Sequence, residues 1–369
     1  MDRIKRNHFY WKSRLPDSQN AFIKHMLPNG ESINEQFFHE YDKMRIYCLP
    51  SQLNLLNRHP VTGDGTWAPV RYIAERQCYI LCAKVIQGKK VLTIPILYAL
   101  CRNFTTRTYN SIFEFCKLKH FEYFGEKLVI YQFHLDCEIG VLNSVRLNFP
   151  NCTIIYCNVH ILRNISKHFK KHLGAHFFTT KIFLELFKTC TGAFYLDFNN
   201  KELKNEFFKI LESFIPRAGM VNSSFKKGIS KVIKYLKGNY FGLRARFPPK
   251  YWEYRDLALT EKFQFSTNAI ESLNRSIKQF LGLGYLDLNK LDSEMNRFHK
   301  LKKVEATDGL KHGRLNSKRR KTILRENDIF DILKKFESLT QSEKIASLQF
   351  HLLEIGTLTK KNLSPEYFN

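Results

Sequence analysis

The chain has 369 residues, 44% of them apolar, which is enough for roughly two domains with real cores and excludes a largely disordered protein. Lys and Arg number 59 against 34 Asp and Glu, a formal charge of +25. A surplus of that size needs an anionic partner, either nucleic acid or an anionic membrane.

The apolar runs argue against the membrane. The longest, Val91 to Cys101, is broken by Thr93 and Pro95 and falls short of the roughly 18–20 residues of a span. The amino terminus is basic but lacks an apolar core, so it does not read as a secretory signal. Nine cysteines at uneven spacing do not form a small disulfide framework and suit a reducing compartment. These features point to a nuclear or cytosolic nucleic-acid protein.

In chain order, Cys78–Val85 and Val91–Ala99 read as buried strands, with Gly88 marking a hairpin between them. Thr105–Lys119 has helical spacing at Tyr109, Ile112, Phe113 and Cys116, with Thr105 or Thr106 as N-cap. Lys127–Phe133 and Cys152–Cys157 read as further strands, with a helix over Glu138–Leu147 between them. Meandering strands followed by strand–helix alternation predict a mixed sheet covered by helices. Beyond His160 the pattern is helical: Ile182–Phe187, Lys201–Phe214, Ser224–Tyr235 and Asn268–Phe280 carry apolar residues at three- and four-residue steps. The segment 161–300 holds 25 basic and 12 acidic residues, more than half of the net charge, and reads as a phosphate-binding surface. The polar stretch 302–328 peaks at Lys318, Arg319, Arg320 and Lys321, a run that suits nuclear import or phosphate contact and equally a solvated linker.

In so basic a chain the acids among apolar strands are informative. Asp64 sits between Gly63 and Gly65, where a turn aspartate is the ordinary use. Asp136 and Glu138 follow the Lys127–Phe133 strand, where helix capping is the ordinary use, and Glu271 lies in the first turns of a helix, where it complements the dipole. Together they are three oxygen donors of the kind that one or two Mg2+ or Mn2+ ions require. Two such ions can activate an attacking oxygen and stabilise the leaving oxygen of a phosphodiester. Cys157 and His160 have C-x-x-H spacing, but two ligands do not make a zinc site.

The ordered series Gly63–Trp67 (GDGTW), Ile94–Leu100 (IPILYAL), Asp136-Cys137-Glu138, Phe149-Pro150, Cys157-Asn158-Val159-His160 and Thr267–Lys278 (TNAIESLNRSIK) resembles the catalytic domain of Mutator-like element (MULE) transposases. The resemblance implies a ribonuclease-H-like α/β fold: a mixed sheet with flanking helices, an all-helical insertion before the last acid, and a helical C-terminal tail. It implies a DDE site of Asp64, Asp136 and Glu271 holding two Mg2+ or Mn2+ ions, with Glu138, Cys157 and His160 in support. The implied divisions are a basic N-terminal segment 1–43, a first core part 44–165, a helical insertion 166–265, a final core helix 266–300, and a basic linker with C-terminal helices 301–369. Trp67 replaces the family's usual phenylalanine, and the zinc-binding and cysteine/histidine modules of many members are missing. The implied activity is metal-dependent cleavage and strand transfer of DNA in the nucleus, on transposon ends and target, by a homo-oligomer. Lys226, Lys227, Lys231, Arg244, Arg246 and Lys318–Lys321 are the expected DNA contacts. The alternative is a host-adopted, non-catalytic DNA-binding or regulatory descendant.

Overall fold

The computed structural model describes residues 36–67, 77–87, 90–173, 180–242, 244–260, 268–282, 288–311 and 320–360. The chain divides into two compact units, one of residues 1–154 and 267–317, the other of 155–266 and 318–369.

The first unit is organised by a seven-stranded mixed sheet. Its strands are β1 (Phe38–Tyr41), β2 (Met44–Cys48), β3 (Val61–Trp67), β4 (Gln77–Gln87), β5 (Lys90–Cys101), β6 (Gln132–Leu135) and β7 (Thr153–Tyr156), in the order β1-β2-β5-β4-β3-β6-β7. The division between the units falls within β7. The strands over 78–85 and 91–99 form the expected antiparallel pair, with Gln87 opposite Lys90. Gly88 lies outside the described residues. The 127–133 segment is a paired strand only from Gln132, although Leu128 and Ile130 point inward while Val129 and Tyr131 are exposed.

The β1–β2 hairpin has no counterpart among the expected elements. Its turn places Asp42 and Lys43 at φ 45° and 61°. A two-residue turn of this hand favours Asn-Gly or Asp-Gly, and this pair carries only half of that signal. The Ser111 hydroxyl donates to the Asp42 carboxylate and holds the turn.

A short helix α1 (Asn54–Arg58) precedes β3, and α2 (Thr106–Phe124) and α3 (Ile139–Asn148) flank β6. Thr105 caps α2 by accepting from the Thr108 amide, and Gly125 ends it at φ 70°, a left-handed turn that glycine adopts without strain.

The second unit is helical: α4 (Asn158–His172), α5 (Lys181–Gly192), α6 (Lys201–Gly219), α7 (Ser223–Leu236) and α8 (Arg255–Leu259). Back in the first unit come α9 (Asn268–Leu281) and α10 (Leu288–Lys311); α11 (Arg320–Glu337) and α12 (Gln341–Lys360) complete the second. The polar stretch from 302 is thus helical to 311 and again from 320. The C-terminal helix packs on α5 at close range. A Cβ on Gly192 would lie 2.8 Å from the Leu352 carbonyl carbon, and one on Gly356 would lie 2.6 Å from that of Lys188. Only residues without a side chain allow this approach.

Helix α9 fixes the last acid against the sheet. Ile270, Leu273, Ile277 and Leu281 form its apolar stripe and pack with Cys78, Ile80, Cys82, Tyr98 and Leu100. Helix α10 is tied to the sheet by Asp292, which accepts from Arg45 Nη2 at 2.7 and 2.8 Å and from the Tyr47 hydroxyl at 2.7 Å.

Candidate functional site

Strand register brings two of the expected acids together. β3 runs parallel to β6, with Val61 opposite Phe133 and Thr62 opposite His134. Carried two residues further, that register sets Asp64 level with Asp136 on the same face. Their carboxylate oxygens approach within 4.8 Å. Asp64 is buried at 7% exposure, whereas Asp136 is half-buried just past the end of β6. The crevice beyond the carboxyl ends of parallel strands is where open α/β sheets commonly bind ligands.

The glycines beside Asp64 make room for an aromatic layer on the opposite face. A Cβ on Gly63 would come within 2.6 Å of Tyr79 Cζ, and one on Gly65 within 2.7 Å of Phe104 Cζ. Tyr79 meets Tyr109 edge-on at 4.9 Å, and Phe104 stacks on Tyr109 at 5.8 Å. The Tyr109 hydroxyl donates to Glu138 Oε2 at 2.9 Å. Glu138 therefore stands at the start of α3 without capping it; its carboxylate turns to the tyrosine instead. Burial raises the Glu138 pKa and the Asp64 charge adds to this, while the Tyr109 hydrogen bond opposes both. Burial also raises both tyrosine phenols, and nearby Asp136 and Glu138 push them further in the same direction. The phenols stay neutral, and the acids share one field.

Helix α9 lies over the Asp64 face. Its apolar stripe fixes its rotation, so the neighbouring stripe Glu271, Asn274 and Lys278 runs along β3. Asn274 Nδ2 donates to Asp64 Oδ2 at 2.9 Å, and Lys278 Nζ to Thr66 Oγ1 at 2.7 Å. Glu271 is half-buried one turn before Asn274, and its carboxylate does not share the 4.8 Å spacing of Asp64 and Asp136. Asn274 and Lys278 were not singled out in the sequence, although their i+3 and i+7 spacing from Glu271 places all three on one helical stripe.

Two carboxylates this close repel, at about 3.5 kcal/mol for 4.8 Å and an effective dielectric of 20, and a divalent cation between them reverses the sign. The donors are hard oxygens, suited to Mg2+ or Mn2+. Asp64 and Asp136 are the carboxylates that would hold such an ion, and Glu271 stands outside their 4.8 Å spacing.

Cys157 directly precedes α4 and His160 lies in its first turn, within the second unit. Lys226, Lys227 and Lys231 are exposed on α7 beside Lys234, and Arg244 and Arg246 are exposed after it. No acidic residue occurs between Glu212 and Glu253, an interval holding nine Lys and Arg. Lys318 and Arg319 lie outside the described residues. Arg320 and Lys321 open α11, but their side chains also lie outside them. Among the described residues no helix is long and apolar enough to cross a membrane.

The chain matches no protein-family model and no curated protein.

Proposed function

We propose that the protein is a DDE-type transposase of the Mutator-like class on a ribonuclease-H-like fold. The observation that carries this reading is the register that sets Asp64 level with Asp136 on adjacent parallel strands, within 4.8 Å. With α9 stacked on the same face, a third carboxylate, Glu271, stands one turn from the Asn274–Asp64 contact. Bound Mg2+ or Mn2+ supplies Lewis-acid activation of a phosphodiester and of the attacking water or 3′-hydroxyl. The chain's part is to bring the carboxylates to one edge of the sheet and to hold DNA through phosphates. The acid-free interval 213–252, with Lys226, Lys227 and Lys231 exposed on one helix, supports that second role. The resemblance assigns Cys157 and His160 a supporting part. The substrates are transposon ends and target DNA in the nucleus, handled by a homo-oligomer.

The test is cleavage and strand transfer on duplexes carrying the element's ends. Wild type should nick with Mg2+ or Mn2+, and Asp64→Asn, Asp136→Asn and Glu271→Gln should each abolish nicking while leaving DNA binding intact. DNA binding by a wild type that never cleaves would support the host-adopted alternative. A variant with wild-type cleavage would remove that residue from the cation site.

A further inference from the structure

We infer that Asn274 is a positioning residue of the cation site, acting through Asp64. The inference rests on the reading of Asp64 and Asp136 as cation ligands.

Asn274 is buried on α9 at 7% exposure. Its Nδ2 donates to Asp64 Oδ2 at 2.9 Å, a bond spanning 210 residues of chain. Its Oδ1 is also buried, with no hydrogen-bond partner among the described residues. A buried amide with one half satisfied is a poor choice for packing alone, because an orphaned acceptor forfeits its hydration without return. Leucine would fill a similar volume and continue the apolar surface of Ile270, Leu273 and Ile277 on the same helix. The amide fits a different task. A carboxylate with one oxygen tied to an amide donor cannot rotate freely, so its other oxygen is held in one direction, as outer groups commonly do for metal-binding carboxylates. The contact on the next turn, Lys278 to Thr66, fixes the helix along β3 and keeps Asn274 level with Asp64. The orphaned Oδ1 is an additional oxygen acceptor beside the same carboxylate.

The experiment titrates Mn2+ alone into the full-length protein without DNA, with free Mn2+ read by electron paramagnetic resonance. Thermal unfolding is recorded with Mn2+ and with a chelator. Wild type should bind and Asp64→Asn should not; if wild type fails to bind, or Asp64→Asn binds equally, the cation-site reading itself falls. Given that pattern, Asn274→Leu should weaken Mn2+ binding by about 10- to 100-fold, in the range of outer-group substitutions. Its stability in chelator should fall only modestly, because the orphaned Asn274 acceptor leaves with the lost bond while Asp64 Oδ2 loses one donor. Asn274→Ala, which likewise lacks the donor and adds no ligand, should lose binding as well and covers the case in which the leucine variant does not fold. Asn274→His, which restores a side-chain N–H, should recover part of the affinity. Wild-type Mn2+ affinity in both the leucine and the alanine variants would overturn the inference, as would equal loss in all three variants accompanied by unfolding in chelator.

Discussion

Replacing Gly63 with alanine tests the packing that holds Asp64 in place. The new Cβ would stand 2.6 Å from Tyr79 Cζ and 3.3 Å from Phe133 Cε1, with the Tyr79 hydroxyl oxygen closer still. Ordinary carbon contacts need about 3.5–4.0 Å, so ring or strand must retreat by about 1 Å. Tyr79 is 1% exposed and is backed by Tyr109, so the strand gives way. Overpacking of this kind costs about 3 kcal/mol at the upper end of its usual range. For a unit of about 150–250 residues that lowers the melting temperature by about 6–12 °C. Gly65→Ala presses on Phe104, which is half-buried in the segment after β5 and can swing aside, so about 1 kcal/mol and 2–4 °C are expected. The Tyr79 hydroxyl has no hydrogen-bond partner among the described residues, so Tyr79→Phe alone should be neutral or mildly stabilising. Combined with Gly63→Ala it should recover about 1 kcal/mol, a coupling expected only of residues in contact. The assay is near-ultraviolet circular dichroism on heating, with calorimetry of wild type and the four variants. Equal melting shifts for the two glycine variants, or no recovery in the double variant, would refute the reasoning.

Changing Lys226, Lys227 and Lys231 together to Glu should weaken binding to any duplex alike and reduce the log–log salt slope by about 2.7 if each contacts a phosphate; anisotropy titrations at several salt concentrations check both. Gly192→Ala and Gly356→Ala each force a Cβ into the backbone of the facing helix and should cost about 2–3 kcal/mol. Their double variant should cost less than the sum, because both open one crossing, and calorimetry of the three variants decides. His299 is buried without a hydrogen-bond partner among the described residues, and burial, helped by the Lys303 charge, lowers its pKa to about 3. Its folded pKa lies below the unfolded value, so its contribution is fully present above about pH 6.5 and is lost as pH falls toward 3, by up to about 1.4 kcal/mol per unit. Urea titrations between pH 7 and 4 should show a shallower decline in His299→Phe than in wild type.

The strands over 78–85 and 91–99 are legible because apolar, β-branched runs with a break between them have few alternatives. The helix over 106–124 is legible from its threonine cap and its spacing. The lateral order of the sheet is not, since the pairing of β3 with β6 joins segments about 70 residues apart and no local pattern encodes it. The same holds for the site. Asp64 and Asp136 stand out as acids among apolar residues, but their common level follows from the register alone. Asn274 passed unnoticed because a mid-helix asparagine is ordinary by composition, and only the rotation imposed by the apolar stripe turns it toward Asp64. The β1–β2 hairpin escaped because its turn uses Asp-Lys in left-handed conformations.

The proposed function requires that Asp64 and Asp136, joined by Glu271 from α9, hold one divalent cation at the edge of the sheet. Loading the protein with Fe2+ in place of Mg2+ and adding ascorbate and peroxide generates radicals at the bound ion, which cut the nearby backbone. The account predicts cuts clustered at residues 64, 136 and 271, suppressed by excess Mg2+ and absent in Asp64→Asn. Cuts at 64 and 136 without 271 would remove Glu271 from the site. Cuts scattered over the chain, or clustered elsewhere and unaffected by Asp64→Asn, would contradict the claim.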